Sequence, residues 1–262
     1  MPLIALTREI SDSLAACELT YLERVPIDVA RARAQHEAYQ RTLESLGCSV
    51  RALPPLPESP DAVFVEDTAV VLDELAIVAR PGARSRRGEV DSAAQALATY
   101  RRLVTIKAPA TLDGGDVIVM GRTVFVGVTW RTNLTGVEQL QQLLTPLSYD
   151  VRPVDVRGCL HLKSAASALD EQTLLVNPQW VAPSDFAPRV CIEVDPSEPS
   201  GANILRVNGR LVYDAAHPAT AARLTERGYD LVIVDNSELA KAEGAITCCS
   251  LVFTQDPSGV NT

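Results

Sequence analysis

Two thiols stand side by side in Gly244-Ala245-Ile246-Thr247-Cys248-Cys249-Ser250, just ahead of the apolar Leu251-Val252-Phe253. Consecutive cysteines make poor disulfide partners, because the bridge prefers Cα atoms farther apart. A free thiol where a loop meets a strand-like run is a candidate nucleophile, since cysteine is intrinsically nucleophilic and partly ionised at neutral pH. Its natural companion is an acid/base group, and the chain has only three histidines. His161 lies in Cys159-Leu160-His161-Leu162-Lys163-Ser164, between a strand-like stretch and a run of small residues. Alone, a histidine at such a junction is more often structural; beside an unexplained cysteine it becomes a candidate for proton transfer. His36 falls inside a long helical stretch and is expected on its solvated face, and His217, ahead of Pro218, suits a loop or cap.

The acidic residues fall into two groups. Leu112-Asp113-Gly114-Gly115-Asp116-Val117 puts two aspartates around a Gly-Gly pair, which as local chemistry is an ordinary turn. Val65-Glu66-Asp67-Thr68 is less ordinary, because adjacent acids interrupt an apolar run expected to be a strand from Ala62 to Leu72. Buried carboxylates need a cation. A cationic substrate would supply one, and an internal ion pair to Arg80, Arg84 or Arg86 fits almost as well. Arg80-Pro81-Gly82-Ala83-Arg84-Ser85-Arg86-Arg87 and Trp130-Arg131-Thr132-Asn133 are basic loops in an acidic protein. Guanidinium groups pair with carboxylates in a planar fork, so such loops could grip a substrate carboxylate. Together these residues ask for a ligand with a cationic head and a carboxylate tail, attacked by a thiol. An amino acid carrying a guanidinium group has that form.

Strand-like runs alternate with helical ones to position this chemistry. Short stretches rich in Val and Ile recur from Leu3–Arg8 to Ile246–Phe253, several as close pairs. Val207-Asn208-Gly209-Arg210 carries a strong hairpin signal, and Met120-Gly121-Arg122-Thr123 a similar one. Helical periodicity is expected over Ile27–Leu46, Glu89–Arg102, Thr135–Leu144 and Pro218–Arg227, with a short helix over Ser164–Leu169. Hairpin, helix and further strand recur about five times, which predicts a repeat architecture and not a doubly wound sheet.

Composition narrows the class further. The chain has 262 residues, 47% of them hydrophobic, which can fill a large core without disulfides or metals. With 33 acidic and 24 basic residues and a net charge of −9, it is unsuited to a nucleic-acid surface. Its apolar runs are far shorter than a membrane span. No Gly- or Ser-rich linker divides it, so a single catalytic domain over 1–262 is expected. The six cysteines match no zinc or thioredoxin spacing, and the N-terminus lacks a basic region and cleavage signal. The expectation is a cytoplasmic protein with reduced thiols.

Phe64-Val65-Glu66-Asp67, Leu112-Asp113-Gly114-Gly115-Asp116, Arg131-Thr132-Asn133, His161-Leu162-Lys163-Ser164 and Thr247-Cys248-Cys249-Ser250 stand in an order that resembles the dimethylarginine dimethylaminohydrolases. The likeness runs from about Arg8 to Phe253. It implies the wider guanidine-modifying (pentein) superfamily, whose fold is a five-bladed α/β propeller with its active site in the central channel. It implies Cys248 as nucleophile, His161 as general acid/base and Asp113 as the carboxylate beside it, a position where some members have Glu. Glu66, Asp67 and Asp61 resemble the guanidinium-pocket acids, and Arg86 and Arg131 the clamp for the substrate carboxylate. Leu19 falls in a segment, Cys17 to Val25, that resembles a mobile lid. Ala242 lies where a backbone contact to substrate is expected. Strand alternation across Cys248 and Cys249 would turn only one thiol to the channel, leaving Cys249 to pack as a small hydrophobe.

The implied reaction is hydrolysis of Nω-methylated arginine to citrulline and an alkylamine, with no cofactor and no metal. The implied partner is a small guanidino amino acid, with no nucleic acid and no membrane, and the protein a monomer or homodimer. Arginine deiminase and hydrolysis of another N-substituted guanidine are the enzymatic alternatives. A non-catalytic binding protein on the same scaffold is the alternative of a different class.

Overall fold

The alternating runs resolve into five three-stranded sheets of one design. The computed structural model describes residues 2–255. In chain order the strands are β1 (Leu3–Arg8), β2 (Cys48–Leu53), β3 (Ala69–Val71), β4 (Ala76–Val78), β5 (Leu103–Thr105), β6 (Val117–Met120), β7 (Thr123–Val128), β8 (Asp150–Asp155), β9 (Ala166–Ala168), β10 (Thr173–Val176), β11 (Val190–Glu193), β12 (Leu205–Val207), β13 (Arg210–Asp214), β14 (Leu231–Val234) and β15 (Leu251–Thr254). They form sheets β3-β4-β5, β6-β7-β8, β9-β10-β11, β12-β13-β14 and β15-β1-β2. In each, the first pair is antiparallel and the second parallel. The last strand therefore closes the ring onto the first, and the fold is a five-bladed α/β propeller.

Local sequence dictates this design. An antiparallel pair needs only a tight turn, and Asn208 and Gly209 supply one with φ of 48° and 81°. A parallel pair needs a crossover. Helices Val29–Ser45, Val90–Leu97, Leu134–Leu144 and Pro218–Glu226 provide it in four blades; in the fifth the crossover carries the 3-10 turn Pro183–Phe186. Two helices are capped by side chains: Asp28 accepts a hydrogen bond from the Arg31 amide, and Asn133 from the amides of Gly136 and Thr111; His217 precedes its helix without a side-chain cap bond. The first strands of the blades face inward. Val70, Ile118, Ser167, Leu205 and Leu251, one from each blade, line a central cavity of about 640 Å³. Apolar clusters fill the spaces around it.

Several expectations need correction. The run from Ala62 to Leu72 is strand only at β3, because Val65–Thr68 forms a 3-10 turn. Ile246–Phe253 likewise begins with a 3-10 turn, Thr247–Cys249, before β15. The small-residue helix is Leu162–Ala165, and Ala166–Ala168 is already strand. His36 is buried at 3% exposure, not solvated. It falls on the same helical stripe as Ala32, Tyr39 and Leu43, and burial lowers its pKa to about 4. Among the described residues no helix is long and apolar enough to cross a membrane, and all six cysteines are free.

Candidate active site

Each blade brings a short segment to the point just before its first strand. Four are helical turns: Val65–Thr68 before β3, Gly114–Asp116 before β6, Leu162–Ala165 before β9 and Thr247–Cys249 before β15. In the remaining blade Asn203 stands just ahead of β12. The Val65–Thr68 turn packs against both Gly114–Asp116 and Thr247–Cys249, and Gly114–Asp116 packs against Leu162–Ala165. Motifs far apart in the chain thus converge because the repeat places equivalent positions around one axis.

The first convergence surrounds His161. Its Nε2 lies 3.1 Å from Asp113 Oδ2 and 3.8 Å from Asp67 Oδ1. Both carboxylates are fixed by backbone amides: Gly82 donates to Asp113 Oδ1 at 2.9 Å and Gly115 to Asp67 Oδ1 at 3.0 Å. Asp116 does the same for the turn that carries the histidine, accepting the Leu162 amide at 2.9 Å and the Thr129 hydroxyl at 2.7 Å. Gly115 is needed here for space, since a Cβ would sit 2.9 Å from the His161 ring and 2.7 Å from Asp67.

Electrostatics then sets the proton. Burial disfavours an imidazolium, but Asp67, the hydrogen bond to Asp113, and Asp116 outweigh it and raise the His161 pKa to about 9. Conversely, burial would raise the pKa of Asp67, yet His161, Arg86 and Arg131 hold it at about 2. His161 is therefore a cation at neutral pH. Asp67, Asp113 and His161 offer donor atoms within 4.8 Å of one another, the spacing of a metal site. Arg86 and Arg131 already lie against these carboxylates, so the cluster is balanced around a proton.

A second convergence supports Cys248. Thr247 donates its hydroxyl to Glu66 Oε2 at 2.7 Å, and Lys163 Nζ holds Glu66 Oε1 at 2.6 Å. Asn203 accepts the Thr247 amide and donates to the Thr247 hydroxyl, both at 3.0 Å, and also donates to the Lys163 carbonyl at 2.9 Å. Glu66, Gly114, Lys163 and Thr247 border the central cavity, while Asp67, Asp113, His161 and Cys248 do not. The ion pair therefore lies on the channel side of the acid–base cluster. Burial, with Glu66 and Asp67 nearby, pushes the Cys248 thiol well above its ordinary pKa. Cys249 is buried in the apolar cluster with Leu46, Cys48 and Val212, its thiol toward the Ala245 carbonyl. The unlike environments of the two thiols come from this 3-10 turn and not from strand alternation.

The structure also locates the other residues singled out in the sequence. Asp61 is buried and accepts the Glu18 amide at 3.1 Å. Leu19 and Cys248 each pack against the cluster that includes Phe64, Ala242 and Ile246. Arg131 lies 3.5 Å from Asp113. Arg86 is heavily engaged within the protein: it pairs with Asp67 and Glu89 and donates to the carbonyls of Asp61 and Phe64. Both oxygens of Glu66 are likewise taken by Lys163 and Thr247. The structure adds Glu89, Lys163, Asn203, Thr247 and Glu243 to the residues that the sequence singles out. Only Glu89 had a local signal, three residues after Arg86.

A thiol, a protonated histidine and flanking carboxylates at one end of a five-bladed α/β propeller define the pentein class of guanidine-modifying proteins. The N-terminal domain of ArgZ, a cyanobacterial arginine dihydrolase, shares this fold at 19% identity, covering 97% of this chain and 98% of that domain with a TM-score of 0.87. Closer likeness narrows the class. The model of the family described as "N,N dimethylarginine dimethylhydrolase, eukaryotic" matches residues 21–176. The N(G),N(G)-dimethylarginine dimethylaminohydrolase of Streptomyces coelicolor is 40% identical over 94% of this chain and 95% of its own length. The protein of that name in Pseudomonas aeruginosa is 34% identical over 86% and 90%. A mutant of the Pseudomonas protein, solved with citrulline, superposes with a TM-score of 0.92 at 32% identity, covering 97% of this chain and all of that one. The chain belongs to the dimethylarginine dimethylaminohydrolase family.

Proposed function

We infer that this protein hydrolyses Nω-methylated arginine to citrulline, releasing methylamine or dimethylamine. The observation that carries this reading is the buried His161 ring held between Asp67 and Asp113, with the turn that bears Asp67 packed against the turn that bears Cys248. Such a histidine is charged and ready as a general acid before substrate arrives. The Pseudomonas relative's complex with citrulline, and a dimethylarginine dimethylaminohydrolase adduct with S-methyl-L-thiocitrulline, support a guanidino amino acid as the substrate class.

The chemistry follows from the charges. In the free protein Cys248 is a neutral thiol among acids. A guanidinium against Asp67 brings positive charge beside the sulfur, favours the thiolate and releases its proton to solvent. The thiolate attacks the guanidinium carbon, and a C–S bond forms. His161 gives its proton to the methylated nitrogen as the C–N bond breaks, and the alkylamine departs. Neutral His161 then takes a proton from water as the water oxygen attacks the thiouronium carbon. The C–S bond breaks, the sulfur takes the remaining hydroxyl proton and returns as the Cys248 thiol, and citrulline leaves. Arg131 and Arg86 clamp the substrate carboxylate, Asp61 joins Asp67 as an acid for the guanidinium, Leu19 belongs to the lid segment, and the Ala242 backbone contacts the substrate. Glu66 acts behind the site, holding the nucleophile turn through Thr247.

Incubating the protein with arginine, monomethylarginine and asymmetric dimethylarginine tests this directly. The methylated substrates are expected to yield citrulline and the matching alkylamine in equal amounts. Citrulline and ammonia from arginine alone would make the protein a deiminase, and no citrulline from any of the three would end the reading.

A further inference from the structure

Among the described residues, Glu243 has the one carboxylate that meets three successive backbone amides. Its Oε1 accepts from Thr20 at 2.9 Å, Tyr21 at 2.5 Å and Leu22 at 2.7 Å. These residues lie in the stretch from Cys17 to Asp28, which has no helix or strand. We propose that Glu243 is a positioning residue that latches this segment over the nucleophile, so that substrate is admitted when the three bonds release and held when they form.

The two sides of the latch are built differently. On the propeller side Glu243 is rigidly mounted. Its amide bonds the Ala240 carbonyl and the Gly244 amide bonds the Leu239 carbonyl. Gly244 lies so close to the Phe64 ring that a Cβ there would overlap it. Glu243 itself sits at a φ of 59°, a conformation uncommon for residues with side chains. The backbone thus spends conformational strain to aim this carboxylate. On the other side, consecutive amides converge on one oxygen, the geometry by which turns cradle an anion. An ionised acceptor makes such bonds stronger than neutral ones.

Neighbouring contacts hinge the segment at its ends. The Glu18 amide is held by Asp61 at its start. At its far end Glu238 accepts the Asp28 amide and Lys241 donates to the Pro26 carbonyl. Between these hinges Glu243 is the central tie; the stretch it holds includes Leu19, which packs against the same apolar cluster as Cys248, and Tyr21 and Leu22, which share a cavity with Gly244, Ala245 and Ile246 just ahead of the nucleophile turn. Tyr21 and Leu22 expose 46% and 51% of their surface, so apolar burial does little to hold the middle of the segment down. Four residues separate the latch from the nucleophile, Glu243 to Cys248. Closure and the placing of the thiol are therefore set from one short, fixed stretch of chain.

Glu243→Gln keeps length and shape, and Glu243→Asn replaces the side chain with a shorter one that tolerates the left-handed backbone. Amide hydrogen exchange reads the latch without any substrate. Protection at Thr20, Tyr21 and Leu22 is expected to fall about tenfold in Glu243→Gln and further in Glu243→Asn, with amides of the blade strands unchanged. The kinetic arm rests on the proposed function: KM for methylated arginine is expected to rise about tenfold, with a smaller fall in kcat. Unchanged protection in both variants would overturn the latch. So would lost protection accompanied by a wild-type KM and kcat. If the wild-type protein released no citrulline, the substrate reading would fail while the exchange result still decided the latch.

Discussion

The acid–base cluster around His161 and the Cys17–Asp28 segment are built in opposite ways. Around His161 each carboxylate is tied to the backbone of another turn: Asp67 to Gly115, Asp113 to Gly82 and Asp116 to Leu162. The ties link positions that the propeller repeat already brings together. All of these groups are buried, so the field on the imidazole is strong and fixed. Across the site, the Cys17–Asp28 stretch has no regular structure and is tied at its centre by one carboxylate oxygen. Charge that must be ready before substrate arrives is placed on rigid turns, since electrostatic preorganisation works only if the dipoles do not reorganise. In the proposed latch, the segment that substrate would pass is held by a few bonds that can open.

The sharpest separation of the two regions comes from Cys248→Ser. Turnover is expected to fall at least about a thousandfold, because a serine hydroxyl is a far weaker nucleophile without a strong base beside it. Affinity for methylated arginine, read by calorimetry, and exchange at Thr20–Leu22 should stay near wild type. Turnover within tenfold of wild type would remove the covalent route and with it the reason for so rigid a base side.

Asp113→Asn attacks the rigid side itself. His161 owes its pKa of about 9 to Asp67, Asp113 and Asp116 against the opposing effect of burial. Removing one carboxylate lowers that pKa, so the proton is lost at lower pH. The wild-type pH profile of kcat/KM should hold its alkaline limb near pH 9 and fall above it. In the variant the limb should move down by about one unit, with a drop at neutral pH of about a hundredfold. An unmoved limb would mean that the limb reports some group other than His161.

Legibility in the sequence follows the same division. The rigid side is carried by short motifs, Glu66-Asp67, Asp113-Gly114-Gly115-Asp116 and His161-Leu162-Lys163-Ser164, because each is a turn before an inner strand and cannot vary without losing a tie. The hairpins at Gly121 and Asn208-Gly209, and the helix caps, are local chemistry and can be read locally. What escaped is what depends on burial from elsewhere. The stripe carrying His36 was visible in the spacing, yet its polar ring argued for solvent. Glu66 reads as a pocket acid until Lys163 and Thr247 occupy both its oxygens. The turns at Val65–Thr68 and Thr247–Cys249 look like strand because each adjoins an apolar run, while tertiary packing decides their dihedrals. Glu243 had no signal at all, since its partners are backbone amides more than two hundred residues away.

The two regions meet at Thr247, and the smallest effect tests whether they are independent. Thr247 is four residues from the latch and next to the nucleophile. Its hydroxyl joins Glu66 of one blade to Asn203 of another. Thr247→Val keeps the shape and removes both bonds, leaving a Glu66 oxygen unsatisfied in a buried site. A fall in kcat of about tenfold is expected, with KM nearly unchanged, because the thiol shifts while the substrate contacts stay. Thr247→Ser should restore most of the rate, which a mere loss of packing volume would not allow. Hydrogen exchange in the same variant then decides the comparison. If Thr20–Leu22 keep their protection, the rigid side ends at Thr247 and the latch is autonomous. If they lose it, the nucleophile turn and the latch form one unit, and the lid is set by the same buried network that places the thiol.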